Sequence, residues 1–91
     1  MNLVKTKPFS RDLRKLPDEI KRHCWHVTQL LLEDLFDPTL DIKKLIGYKN
    51  VWRVTIKRVY RLVYTFDERN IYLLRIAHRK DIYRNPFQDL G

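Results

Sequence analysis

Ninety-one residues make one domain, 1–91, with no room for separate cofactor-binding and substrate domains. Nineteen lysines and arginines against eleven aspartates and glutamates leave a net charge of +8, which implies a polyanionic partner: nucleic acid, an anionic membrane or an acidic protein. The membrane is disfavoured, because no apolar run approaches the roughly 18 residues of a span; Met1 to Thr6 holds no signal-peptide core, and the single cysteine, Cys24, fits a reducing cytoplasm.

Leu3 to Lys5 reads as a short opening strand. Pro8 breaks it and suits the first turn of a helix, along which Phe9, Leu13 and Leu16 recur at i, i+4 and i+7. Pro17 ends that helix, and Ile20, Cys24, Val27, Leu31 and Leu35 carry a second helical stripe with Lys21, Arg22, Glu33 and Asp34 off it. An antiparallel helix pair is therefore expected over about residues 8 to 36. Asp37-Pro38 stops it, and residues 37 to 50 read as a connecting loop in which Ile42, Leu45 and Ile46 tuck into the core and Gly47 makes a turn.

From Val51 the hydrophobic period becomes two. Trp52, Val54 and Ile56 alternate with Arg53, Thr55 and Lys57; Tyr60, Leu62, Tyr64 and Phe66 alternate with Arg61, Val63 and Thr65; Tyr72, Leu74 and Ile76 alternate with Leu73, Arg75 and Ala77. The class is α+β: a short N-terminal strand and an antiparallel helix pair packed on one face of an antiparallel sheet, in the order β-α-α-β-β-β. A shared apolar face sets Ile56 opposite Tyr60 across a turn at Lys57, Arg58 and Val59. It also sets Thr55 opposite Arg61, Leu62 opposite Ile76, and Ala77 beside Arg61. Tyr60 and Tyr64 then belong to the core. The helices cover that face only, so the other becomes an open basic surface carrying Arg53, Lys57, Arg61, Arg75 and Arg79. Like charges this close oppose folding; an anionic ligand would relieve them.

Two glycines leave no phosphate-cradling loop, and one cysteine with three histidines does not furnish a tetrahedral zinc site. His23 and His26 share a helix face without a third ligand, and Ser10, the sole serine, reads as a helix-surface residue rather than a nucleophile. Arginines and tyrosines remain, a set suited to RNA. Cleavage through the RNA's own 2′-OH needs no metal and no protein nucleophile. It needs alignment, positive charge on the phosphate oxygens and proton transfer at each end, and arginine's planar fork grips two phosphate oxygens at once.

Trp52-Arg53-Val54-Thr55-Ile56, Tyr60-Arg61-Leu62-Val63-Tyr64 and the run from Ile76 to Tyr83 resemble the RelE/ParE superfamily of toxins, closer to its RelE branch. Phe9 to Pro17 and Lys43 to Gly47 are similar to its N-terminal half, so the resemblance spans nearly the whole chain. It implies a RelE-like fold and the toxin of a toxin–antitoxin system, a metal-independent, cofactor-free endoribonuclease that cuts messenger RNA in the ribosomal A site. It implies an acidic antitoxin as partner in a hetero-oligomer. Carried over by position, Arg61 and Arg79 hold the phosphate, Tyr83 stacks on or aligns the substrate, and Arg53 contacts phosphate or takes part in proton transfer. Lys57, Arg58, Lys80 and Arg75 add RNA-binding charge, with Arg75 also open to pairing with an acidic residue. Thr55 stands where well-known RelE members carry a second lysine, which leaves Lys57 and His78 as alternative proton carriers. Two other readings share the resemblance: a ParE-like inhibitor of DNA gyrase, and a basic RNA-binding domain without catalysis.

Overall fold

A computed structural model describes residues 1–82. The elements in chain order are β1 (Asn2–Lys5), α1 (Lys7–Arg14), α2 (Asp18–Glu33), β2 (Ile42–Lys44), β3 (Val51–Ile56), β4 (Tyr60–Phe66) and β5 (Asn70–His78). Thr6 is the joint between the first two: its hydroxyl donates to the Leu73 carbonyl at 2.7 Å and accepts from the Phe9 amide at 3.4 Å. One side chain thus caps α1 and pins its start to β5, with Pro8 in the first turn where a missing N–H costs nothing. Helix α2 opens with Asp18 and Glu19, whose charges suit the positive end of the helix dipole, and it stops at Glu33 where Asp34 turns extended.

The strands form one five-stranded sheet in the order β1-β5-β4-β3-β2. The expected three-strand meander is its centre. Ile56 pairs with Tyr60, Thr55 with Arg61, Leu62 with Ile76 and Arg61 with Ala77, as the shared apolar face required. Two edges extend it. β1 joins β5 in parallel, so the sheet is mixed, and Ile42–Lys44, within the stretch read as a loop, pairs antiparallel with β3.

The helices cover one face of this sheet, where Phe9, Cys24 and Leu31 bury completely against Val54, Leu62 and Tyr64. The register breaks between Val63 and Tyr64: Val63 faces Arg75 but Tyr64 faces Leu73, so Leu74 is an extra residue. The bulge reverses the expected alternation below it. Ile71 and Leu73 are buried in the core, and Tyr72 and Leu74, expected there, are only partly buried. Leu74 packs instead on the far face, in a second apolar cluster where Val63 and Ile82 are wholly buried and Leu45, Tyr48, Val51 and Ala77 lie against them. Ile42 packs on the main core and Leu45 on this second one, whereas Ile46 is 98% exposed, because Gly47 at φ +88° turns the chain away from the sheet.

The face away from the helices is therefore divided. Half is roofed by the segment leading into β3 and by Ile82; the other half, around the partly exposed Arg53, Thr55 and Arg61, is left open by the described residues.

Candidate nucleic-acid interface

Sheet register builds the open half row by row. Thr55 and Arg61 are directly opposed across β3 and β4, with Ala77 beyond. On the other flank the Thr55 amide donates to the Asp41 carbonyl at 3.1 Å, extending the row to Asp41 at the mouth of β2. The next row sets Lys43 beside Arg53 and Arg53 beside Val63. Alternation then sends Arg53, Thr55 and Arg61 to the same side.

The polar contacts within these rows are continuous. Arg53 Nη1 donates to Thr55 Oγ1 at 3.2 Å, and Thr55 Oγ1 donates to Asp41 Oδ2 at 2.8 Å. The same Arg53 nitrogen lies 3.7 Å from Asp41 Oδ2; 13% of the arginine side chain is exposed and 57% of the aspartate's. Asp41 thus projects from the surface while Arg53 lies flat on it. The Thr55 hydrogen bond, with the charges of Arg53, Lys43 and Arg61, holds the Asp41 carboxyl below the ordinary aspartate value. Arg61 folds towards the β3–β4 turn, where its Nη1 donates to the Arg58 carbonyl at 2.9 Å and to the Tyr60 carbonyl at 3.1 Å.

That turn is strained. Lys57 and Arg58 both take left-handed backbone angles, φ +50° and +70°, a conformation that costs a non-glycine residue about 1 to 2 kcal/mol. The Arg79 amide donates to the Val59 carbonyl at 2.6 Å, which binds the turn to the segment after β5 and puts Arg58, Arg79 and Lys80 at one end of the open half. Arg58, Arg79 and Lys80 are exposed, and among the described residues no carboxylate lies within ion-pair distance of them or of Arg61.

Two expected members of the basic face, Arg75 and Lys57, stand elsewhere, and His78 keeps the parity of Tyr60. Arg75 reaches to α1: its Nε and Nη2 donate to the two oxygens of Asp12 at 2.6 and 2.9 Å, and the Ile76 amide adds a third bond to that carboxylate. Lys57 swings the same way, its ammonium 2.9 Å from Glu19 on α2, and that hydrogen bond holds the Glu19 carboxyl below its ordinary value. His78 lies edge-on to Tyr60, its cross-strand partner, at 5.7 Å between ring centroids, and its Nδ1 accepts from the Lys80 amide. Tyr83 falls outside the described residues.

Sequence reasoning missed Lys43 and Asp41. Both lie in the stretch read as a loop, and an alternation of only three residues, Ile42-Lys43-Lys44, was the signal available. Elsewhere, burial alone pushes the Cys24 thiol up to about 12 and also raises the Tyr64 hydroxyl, which donates to the Leu35 carbonyl, so neither is suited to proton transfer. His23 and His26 sit with ring centroids 6.1 Å apart, and the described residues contain no metal-binding group of three or more His, Cys, Asp or Glu side chains. None of the described helices is long and apolar enough to cross a membrane.

The family model of ParE toxins of type II toxin–antitoxin systems matches residues 3–83. Toxin RelE3 of Methanocaldococcus jannaschii is 33% identical over 89 residues, covering 91% of this chain and 96% of that protein. The toxin in a RelB–RelE antitoxin–toxin complex from Methanococcus jannaschii superposes with a TM-score of 0.76 at 28% identity, over 90% of this chain and 96% of that one. YafQ from E. coli shares the fold, with a TM-score of 0.75 over 90% of this chain and 97% of its own, at 13% identity. Matches of this extent, from both sequence and fold, establish that the chain belongs to the RelE/ParE superfamily and is a RelE-like toxin of a type II toxin–antitoxin system.

Proposed function

We propose that this toxin is a ribosome-dependent endoribonuclease that cuts messenger RNA in the ribosomal A site and so inhibits translation. One observation carries the reading: Arg61, Arg79, Arg58 and Lys80 lie toward one end of the open half of the sheet, and none of them forms an ion pair with a carboxylate among the described residues. Folding alone gives no reason to assemble them there, and left-handed Lys57 and Arg58 add strain to the same end. A phosphodiester supplies the missing negative charge.

In this reading Arg61 and Arg79 grip the scissile phosphate and stabilise the charge that develops on its oxygens. Arg53, Lys43, Arg58 and Lys80 hold the flanking backbone, and Tyr83 aligns the nucleotide at the cut. The attacking group is the RNA's 2′-OH, so neither a metal nor a cofactor takes part. The toxin acts in the cytoplasm and is silenced by an acidic antitoxin laid over the basic face, in keeping with the antitoxin complexes of its structural relatives.

The test is a cell-free translation reaction on a defined message, mapped by primer extension with and without the protein. Cuts in register with codons, dependent on ribosomes, are the expected result. The match to ParE toxins favours a second reading, inhibition of DNA gyrase. An intact message, together with loss of gyrase supercoiling in a parallel assay, would replace the first reading with the second.

A further inference from the structure

We propose that Asp41 is the general base of this site, taking the proton from the attacking 2′-hydroxyl; the proposal rests on the ribonuclease reading above.

A basic phosphate-binding face has no electrostatic use for a carboxylate on its flank. Asp41 would compete with the phosphate for Arg53, weakening binding, unless it contributes to the reaction itself. The fold nonetheless fixes it there. Its backbone carbonyl accepts from the Thr55 amide, and its Oδ2 accepts from the Thr55 hydroxyl at 2.8 Å. Main chain and side chain are therefore both anchored to the residue directly opposite Arg61. Thr55 is in turn held by Arg53 Nη1 at 3.2 Å, so the carboxylate is oriented through a chain of two hydrogen bonds rather than left to swing in solvent. More than half of the Asp41 side chain remains exposed, on the face where the substrate would lie.

The other proton carriers near the face are committed elsewhere. Lys57 is paired with Glu19 on the helix side. His78 follows the parity of Tyr60, against which it packs, and Lys80 occupies its Nδ1. Asp41 is an acceptor in the same cross-strand row as Arg61. The Thr55 hydrogen bond and then the neighbouring cations keep it ionised at neutral pH; they lower its basicity, so its part as a base rests on its placement beside Arg61.

The step balances without a co-reactant. The 2′-OH gives its proton to Asp41 as its oxygen forms a bond to phosphorus. The bond from phosphorus to the 5′-oxygen breaks, and the leaving 5′-oxygen takes a proton from solvent. Asp41 returns its proton to solvent, and the products are a 2′,3′-cyclic phosphate and a 5′-hydroxyl. Thr55 acts as a positioning residue in this scheme, through its hydrogen bond to the base.

The experiment compares wild type, Asp41→Asn and Asp41→Glu on ribosomes programmed with a defined message. It reads the single-turnover cleavage rate, affinity for a non-cleavable message carrying a 2′-deoxy nucleotide at the cut, and the thermal midpoint. Asp41→Asn is expected to cleave about 10²- to 10⁴-fold more slowly. It should bind the 2′-deoxy message as tightly or more tightly, since a negative charge has left a basic face, and Asp41→Glu should recover part of the rate. Cleavage by Asp41→Asn at the wild-type rate or faster would overturn the proposal and leave the ribonuclease reading standing. So would a loss of rate that is matched by lost binding and a lower midpoint. A wild type that cuts nothing overturns both together.

Discussion

Replacing Arg61 with alanine is expected to slow messenger cleavage by about 10²- to 10³-fold, the usual effect of removing one donor aimed at developing oxyanion charge, while the protein stays folded. The two halves of that expectation have separate causes. Among the described residues the guanidinium donates only to the carbonyls of Arg58 and Tyr60, at the exposed end of a hairpin. Water can take over such bonds, so their loss should cost stability no more than about 1 kcal/mol. A phosphate in the transition state has no such substitute. Arg79→Ala should behave alike, because Arg79 is exposed and its backbone, not its side chain, closes the turn. Single-turnover cleavage alongside a thermal melt separates the two effects. A folded Arg61→Ala protein that cuts at the wild-type rate would remove Arg61 from the site.

The second large effect concerns stability. Asp12 and Arg75 are joined by two hydrogen bonds, are 16% and 25% exposed, and tie α1 to the bulge of β5. Asp12→Ala would leave the half-buried guanidinium and the Ile76 amide without their acceptor. Truncating one partner of a buried charge pair costs roughly 2 to 5 kcal/mol, and the partial exposure argues for the lower part of that range. A loss of about 2 to 3 kcal/mol corresponds to a fall of roughly 10 to 20 °C in the unfolding midpoint of a domain this size. Arg75→Met should lose a similar amount, and the double variant less than the sum, since each change then removes a charge the other had left unpaired. Additive losses in that cycle would show that the two residues act independently. Measured well below its midpoint, Arg75→Met should retain wild-type RNA affinity, because Arg75 belongs to the helix side and not to the basic face.

Arg75 also marks how far the sequence could be read. Period-two alternation places side chains correctly for as long as register holds. It gave the pairs Ile56 with Tyr60, Thr55 with Arg61 and Leu62 with Ile76, and with them the core of the basic face. One extra residue, Leu74, breaks the register, and a bulge leaves no trace in a pattern of apolar letters when Leu73 and Leu74 are both leucine. Alternation therefore puts Tyr72 and Leu74 on the wrong side; it leaves Arg75 open between the basic surface and an acidic partner, and the structure supplies the partner, Asp12. That partner lies 63 positions away on a helix, a separation over which spacing says nothing. The edges of the sheet were hidden for a different reason. Ile42–Lys44 is too short to display a period, and its two lysines resemble a solvated loop although they also suit an edge strand exposed to water. Losing that strand hid Lys43 and Asp41, the two site residues it positions. The parallel pairing of β1 with β5 spans the length of the domain, and a strand of four residues carries no signal of which edge it will join.

Whether the basic face cleaves RNA through the 2′-hydroxyl is tested most directly by the ends it leaves. A message incubated with the purified toxin and programmed ribosomes can be analysed for its terminal groups. Attack by the 2′-hydroxyl predicts a 2′,3′-cyclic phosphate on one fragment and a 5′-hydroxyl on the other. A 5′-phosphate with a 3′-hydroxyl would mean attack by water and would contradict the mechanism assigned to Arg61, Arg79 and Asp41.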